Sequence, residues 1–295
     1  MLSGMARIAI IGGGSIGEAL LSGLLRAGRQ VKDLVVAERV PERAKYLADT
    51  YSVLVTSVTD AVENATFVVV AVKPTDVESV IGELARAATA AQNDSAEQVF
   101  VTVVAGITTT YFESKLPAGT PVVRAMPNAA ALVDAAVTAL AKGRFVTAPQ
   151  LEEVSALFDS VGGVLTVPEA QMDAVTALSG SGPAYFFLMV EALVDAGVAA
   201  GLSRQVASDL TAQTMAGTAA MLLERMDADR PTAEGEAHVT RADTTAAQLR
   251  ATVTSPGGTT AAALRELERG GFRAVVDAAV QAAKKRSEQL RITSE

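Results

Sequence analysis

The chain has 295 residues, enough for two packed domains or for one domain with a large helical addition. Its formal net charge of -8, with no Lys- or Arg-rich run to offset it, repels phosphate backbones and anionic membranes and argues against a nucleic-acid partner. Cysteine is absent and histidine occurs once, at His238, which excludes disulfides and thiolate metal sites and leaves little for a zinc site or a histidine-based triad.

Hydrophobic residues make up 49% of the chain but aromatics only 4%, so a core must be built from alanine, valine and leucine, and its helices can approach closely. No segment offers the ~18 consecutive apolar residues of a membrane span. The start, "MLSGMARIAIIGGG", runs its apolar stretch into a glycine turn rather than a cleavage site, so a cytoplasmic protein is expected, with no membrane partner and no bound metal.

In chain order, "RIAIIG", "DLVVAE", "TFVVVAV", "QVFVTVVAG" and "PVVRAMP" are strand candidates, mostly continuous in hydrophobicity rather than alternating. Such runs suit a parallel sheet covered on both faces. Between them lie the helical patterns "SIGEALLSGLLRAG", "PERAKYLADTY" and "PTDVESVIGELARAA", while "AAQNDSAEQ", residues 90–98, reads as a polar connection. This is the β-α-β rhythm of a doubly wound, Rossmann-type α/β sheet.

Gly12, Gly14 and Gly17 form G-x-G-x-x-G between the first strand and the first helix. The first glycine permits a tight turn, the second lets backbone approach a pyrophosphate, and the third lets helix and strand pack, with the helix N-terminus facing the negative charge. At the end of the second strand stands Glu38, the place where an acid binds the adenosine ribose and disfavours a 2'-phosphate, which points to NAD. Arg39 follows directly and Arg43 lies a helical turn on; they can clasp a 2'-phosphate if Glu38 turns away, or they are solvated surface charge.

After "GGVLTVPEA" the β signal ends. Alanine-rich helices follow: one through "SGPAYFFLMVEALVDAGVAAG", one from the N-cap Ser203 through "VASDLTAQTMAGTAAMLLERM", and one from Phe272 to about Leu290. A boundary is therefore expected between 168 and 169, separating a dinucleotide-binding domain (1–168) from an all-helical one (169–295). The polar, proline-containing stretch at about 227–245 reads as an exposed loop. Small residues Ala212, Ala216, Gly217 and Ala220 recur three or four apart on a helix apolar over more than one face, which favours a subunit interface over burial within one chain.

A second glycine turn, "TSPGGTT", opens the region before the last helix. Pro256 stiffens it, Gly257 and Gly258 remove side chains, and the helix starting near Thr259 offers unpaired N–H groups, while Ser255, Thr259 and Thr260 add hydroxyls without fixed charge. Taken locally it is either a carboxylate site or an ordinary helix start.

"LRATVTSPGGTTAAALRELERGGFRAVVDAAVQAAKKRSEQL" closely resembles the C-terminal signature of the pyrroline-5-carboxylate reductase family. So do "VVAVKPTDV", "VVRAMPNAAALV" and "DAVTALSGSGPAYFF", and with the front glycine turn the resemblance covers nearly the whole chain. It implies a Rossmann domain followed by a helical dimerisation domain, using NADPH, or NADH, to reduce 1-pyrroline-5-carboxylate to L-proline. It places the pyrophosphate on Ile11, Gly12, Gly13, Gly14, Ser15, Ile16 and Gly17, and the path to the nicotinamide along Ala71, Val72, Lys73, Pro74, Val104, Ala105 and Gly106. Ser255, Gly257, Gly258 and Thr259 then hold the substrate carboxylate, Thr260 sets its hydroxyl beside the ring nitrogen, and Glu169 touches the nicotinamide end. The implied assembly is a homodimer that can associate into a decamer.

The chain departs from the family at Asn128, Ala129 and Ala130, where many members read Asn-Thr-Pro, and it lacks a His-Pro pair before Leu249 and Arg250. The 227–245 loop is also longer than usual. A protonated cyclic imine accepts hydride without a histidine or cysteine acid, so the composition is compatible with this chemistry. Two alternatives stay open: a reductase of the same architecture acting on a hydroxy acid or another imine, and a dinucleotide sensor, which would need no second anion site.

Overall fold

The structure, a computed structural model, describes residues 6–90, 98–228 and 245–292. His238, most of the polar connection at 90–98 and most of the 227–245 loop lie outside the described residues.

The chain alternates β1 (Ile8–Ile11), α1 (Ser15–Arg26), β2 (Leu34–Ala37), α2 (Pro41–Tyr51), β3 (Leu54–Thr56), α3 (Val58–Val62), β4 (Phe67–Val70), α4 (Val77–Ala90), β5 (Val99–Thr102), α5 (Thr109–Lys115) and β6 (Val122–Met126). A hairpin-like return then gives β7 (Ala136–Lys142), followed by α6 (Ala148–Phe158) and β8 (Gly162–Thr166). The helical remainder comprises α7 (Met172–Val175), α8 (Gly182–Ala199), α9 (Arg204–Ala228), α10 (Thr245–Thr252), α11 (Thr259–Arg269) and α12 (Phe272–Gln289).

The strands form one eight-stranded sheet in the order β3-β2-β1-β4-β5-β6-β7-β8. All pairs are parallel except β6 with β7. The first six strands thus have the 3-2-1-4-5-6 order of a doubly wound dinucleotide-binding sheet, whose connections leave in opposite directions on either side of β1. Ile8 pairs with Leu34 on one side and Phe67 on the other, so β1 is the central register.

Because successive side chains point to opposite faces, β1 feeds two cores. Ile8 and Ile10 pack with Leu20, Leu24, Leu157 and Phe158; Ala9 and Ile11 pack with Ile81, Leu84 and Phe112. Both faces being covered explains the unbroken apolar strands.

The five strand candidates all form strands, and three further strands carried weaker signals. β3 has only three residues and sits half-exposed at the sheet edge. β7 reads "AVTALAK", where alanine gives little β preference. Its small side chains Ala139 and Ala141 leave room that Met172 fills from α7. β8 begins at Gly162, whose φ of 141° lets its backbone lie against Ala136 of β7; a Cβ there would come within 2.1 Å of the Ala136 carbonyl oxygen.

The chain divides into two compact units, Met1–Pro183 with Val280–Glu295, and Ala184–Ala279. From Glu169 to Ala199 the helical segments run on over 31 residues, the one stretch among those described that is long and apolar enough, by length and composition, to cross a membrane. Its window has a mean hydropathy of 1.3 and is 11% buried in the single chain. Thr176–Gly180 within it is wound as a π-helix.

The second unit leaves large apolar side chains uncovered: Phe186 is 63% exposed, Leu223 61% and Val275 66%. Of α9, 25 residues long, only Ala207 is buried. A 25-residue helix exposed almost throughout gains little from packing in its own chain, and bare patches of this kind mark interaction surfaces. We therefore expect Ala216→Glu, on the small-residue face of α9, to dissociate the assembly, because a carboxylate buried without a partner costs several kcal/mol. Sedimentation at fixed protein concentration measures this; an unchanged particle size would place that face outside the subunit contact.

Candidate active site

A cleft of about 670 Å³ opens at the carboxyl ends of β1, β2 and β4. This is the crevice where the sheet reverses its winding direction, the usual ligand position in an open α/β sheet. Ile11, Gly12, Gly14, Ser15, Glu38, Arg39, Ala71, Val72 and Lys73 line it, together with Thr56, Ser57 and Asp76, which the sequence did not single out.

The glycine turn has the geometry a dinucleotide needs. Gly12 has φ 103°, and a Cβ there would fall 2.7 Å from the Ala71 carbonyl oxygen; a Cβ on Gly17 would fall 2.0 Å from that of Gly12. Gly14, by contrast, has open space where a Cβ would be. It is also the N-cap of α1 and supplies no side-chain cap, so the first N–H groups of α1 stay available for an anion. The residues present therefore fit a pyrophosphate.

Glu38 is engaged with backbone: it accepts hydrogen bonds from Gly13 N–H at 2.9 Å and Val40 N–H at 2.8 Å. The two arginines separate in role. Arg43 donates from Nε to the Gly13 carbonyl at 2.6 Å, pairs with Glu18 and lies over the Tyr46 ring, which makes it a brace for the turn. Arg39 is 80% exposed at its side chain and touches Asp76 at 3.2 Å, so its guanidinium stands at the cleft with little else to hold it.

Burial works to raise the Glu18 carboxyl, yet hydrogen bonds from Arg43 and Tyr51 hold it below the usual carboxylate range. Burial, reinforced by the bond to Glu18, pushes the Tyr51 phenol up to about 12. Both groups thus keep their ordinary charge at neutral pH, and the brace persists.

Of the remaining predicted cofactor residues, Gly13 and Gly17 are buried, Ile16 is half-buried and Pro74 is exposed, and none of them lines the cleft. Val104 and Gly106 are buried and Ala105 is exposed between them, at the turn after β5. Glu169 faces the N-terminus of α5, accepting from Thr109 N–H at 2.7 Å and the Thr109 hydroxyl at 2.5 Å, and lies 3.6 Å from the buried Arg124. This Thr109–Glu169–Arg124 cluster was not visible in the sequence, since its members are 15 to 60 positions apart and carry no motif.

Ser255, Gly257, Gly258, Thr259 and Thr260 lie in the second unit. Gly257 takes φ 69°, and Gly258 caps α11 with no side-chain hydrogen bond. The Gly258 N–H turns back to the Ser255 carbonyl at 3.0 Å, and its own carbonyl accepts from Ala262 at 3.1 Å. Thr260 is half-buried in the first turn, while Ser255 and Thr259 are exposed. This uncapped helix start, ringed by hydroxyls, can hold a small carboxylate.

A doubly wound sheet with a phosphate-ready turn, joined to a helical region with a second anion-ready turn, defines a nicotinamide-dependent oxidoreductase. The family model described as "Pyrroline-5-carboxylate reductase dimerisation" matches residues 169–290, and that described as "NADP oxidoreductase coenzyme F420-dependent" matches residues 7–106. A pyrroline-5-carboxylate reductase of Mycobacterium tuberculosis is 83% identical over 295 residues, all of both chains. Among solved structures, a pyrroline-5-carboxylate reductase of Coxiella burnetii has 33% identity and a TM-score of 0.85, covering 98% of this chain and all of that one. The Plasmodium falciparum enzyme, crystallised with NADP bound, has 26% identity and a TM-score of 0.77, covering 97% of this chain and 98% of that one. The chain belongs to the pyrroline-5-carboxylate reductase family.

Because Arg43, at the cleft wall, braces the glycine turn through the Gly13 carbonyl and Glu18, Arg43→Ala should weaken NADH and NADPH binding alike, by about 1–2 kcal/mol for a lost charged hydrogen bond. Fluorescence titration with the two cofactors checks this. A loss confined to NADPH would show that Arg43 contacts the 2'-phosphate instead.

Proposed function

We propose that this chain reduces 1-pyrroline-5-carboxylate to L-proline, the last step of proline biosynthesis, with NADPH as the preferred cofactor and NADH as the alternative. The observation that carries the reading is the 83% identity along the full chain to a protein of that name, an identity that includes both glycine turns in its span. The proposal divides the work between residues 1–168, which bind the dinucleotide, and residues 169–295, which bind the substrate and form a homodimer able to associate into a decamer. A cytoplasmic setting suits a soluble cofactor and a small, polar substrate.

In this reading the turn from Gly12 to Gly17 holds the pyrophosphate, with Ile11, Ser15 and Ile16 around it. Ala71, Val72, Lys73 and Pro74, then Val104, Ala105 and Gly106, run toward the nicotinamide, and Glu169 supports that end through Thr109. Ser255, Gly257, Gly258 and Thr259 bind the substrate carboxylate with backbone N–H groups and hydroxyls. When bound, the nicotinamide supplies the hydride that the imine carbon accepts.

The chain's own contribution is to fix the imine by its carboxylate and to keep its nitrogen protonated. Solvent can deliver that proton near neutral pH, and the Thr260 hydroxyl, one residue into the carboxylate-binding helix start, orients the nitrogen or relays the proton. No charged acid is required, in keeping with the neutral donors of the turn. A reductase for hydroxy acids would instead want a strong acid or base beside the carbonyl, and a sensor would not need the second turn. Incubation with NADPH and pyrroline-5-carboxylate, followed by nicotinamide absorbance, tests the reading; turnover of a hydroxy acid but not of the imine would overturn it.

Thr260→Ala should lower kcat/KM by roughly ten- to a thousandfold, the range from a lost hydrogen bond to a modest acid–base contribution, with cofactor affinity nearly unchanged. Wild-type turnover in that variant would remove Thr260 from the chemistry. Arg39→Ala should cost NADPH about 1.5–3 kcal/mol of affinity and leave NADH unaffected, as expected for one charge-assisted contact to a 2'-phosphate. Equal losses with both cofactors would make Arg39 structural, and a wild-type preference for NADH would mean that Glu38 decides.

A further inference from the structure

The end of the chain returns to the turn after β5. The Gly106 carbonyl accepts a hydrogen bond from the Ile292 N–H at 3.0 Å. Gly106 has φ 79°, and a Cβ there would fall 2.4 Å from the Leu290 carbonyl oxygen, so the tail lies against bare backbone. What holds the tail is Asp173, whose side chain is 1% exposed: it accepts from the Ser287 hydroxyl at 2.7 Å and pairs with Arg291. Burial alone would raise the Asp173 carboxyl, but the hydrogen bonds from Ser287 and Arg291 keep it below the usual aspartate range, so the latch is charged at neutral pH.

Three residues beyond Gly106, Thr109 opens α5 and is held by Glu169. Arg124 lies beside Glu169 and is influenced by Asp173, so the two anchors share one buried cation. The stretch from Gly106 to Thr109, which closes the turn at 104–106, is therefore held at both ends by residues remote in sequence.

We infer that residues 290–292 are a positioning element for the cofactor's nicotinamide end: latched to Asp173 by Ser287 and Arg291, they hold the 104–106 turn in the shape the cofactor meets. The inference rests on the proposed cofactor path for its consequence, while the latch itself is a matter of geometry. Its mark is a split between the two ligands. A loosened tail would raise the dissociation constant of the dinucleotide and leave the carboxylate turn at Ser255 to Thr260 as it was.

Three variants separate this from general destabilisation. Ile292→Pro deletes the one N–H that reaches Gly106 and keeps the latch; Arg291→Ala opens the latch, and Arg291→Lys restores its charge. Titration of the full-length protein with NADPH, read by nicotinamide fluorescence, should show a dissociation constant raised about three- to tenfold in Ile292→Pro and Arg291→Ala, the range of one hydrogen bond. Arg291→Lys should recover at least half of that on the logarithmic scale, and KM for pyrroline-5-carboxylate should stay within about twofold, as for a site with no shared contact. An unchanged NADPH constant in Ile292→Pro would overturn the inference. So would an equal rise in the imine KM, which a merely structural tail would give. Since the titration needs no imine, a wild-type protein that binds NADPH but reduces nothing would count against the proposed reaction alone.

Discussion

The turn at the end of β1 is the constraint on which the rest depends. Ile11 accepts a hydrogen bond from Ala71 N–H, and Gly12 donates to the Ala37 carbonyl, both at 2.8 Å, so the same two residues close the sheet toward β4 and toward β2. The backbone must then reverse within a few residues into α1, whose Gly17 lies against the Gly12 carbonyl. A side chain at Gly17 would push α1 off the sheet, and with it Leu20 and Leu24, which reach the core beside Ile8 and Ile10, while one at Gly12 would run into the Ala71 carbonyl. One steric condition thus seats the helix and leaves its uncapped N-terminus over the cleft.

Charge is used sparingly, and where it is buried it is used to join segments. Arg124, in the middle of β6, is almost wholly buried; desolvation works to lower its pKa, and Glu169 and Asp173 work against that. Such a cluster is costly to create, and removing one member would leave the others uncompensated, so its worth lies in fixing one arrangement of α5, the start of α7 and the end of α12. In an alanine-rich protein with few aromatic anchors, these specific polar contacts supply a register that methyl groups alone supply poorly.

The helical half obeys another logic. Its apolar residues stay exposed in a single chain, Phe186, Phe187 and Leu188 in a row on α8 and Leu210, Met221 and Leu223 along α9. Chains of this family carry a region described by its dimerisation, and the bare helices show why the protein is a homo-oligomer: cover for them has to come from another copy. Small residues such as Ala216 and Gly217 suit close helix approach. The second glycine turn is carried on this same unit, at the start of α11.

What the sequence determined by itself was everything written in local pattern. Continuous apolar runs between helical stretches placed five of the strands, and glycine spacing placed the turn after β1, because those features depend on neighbours a few residues apart. "SPGGTT" was legible as a helix start with unpaired donors, and its long flanking signature named the family. Tertiary structure decided what depends on partners far along the chain. The strands β3 and β7 form because the sheet and Met172 supply the contacts their own residues lack. Arg43 and Arg39, alike in sequence, part company only because Glu18 and the Gly13 carbonyl are within reach of one and not the other. Glu169 turns to Thr109, and Ile292 reaches back to Gly106, through hydrogen bonds that span 60 positions and more, and no periodicity or motif encodes a contact between segments that meet only after the chain has folded.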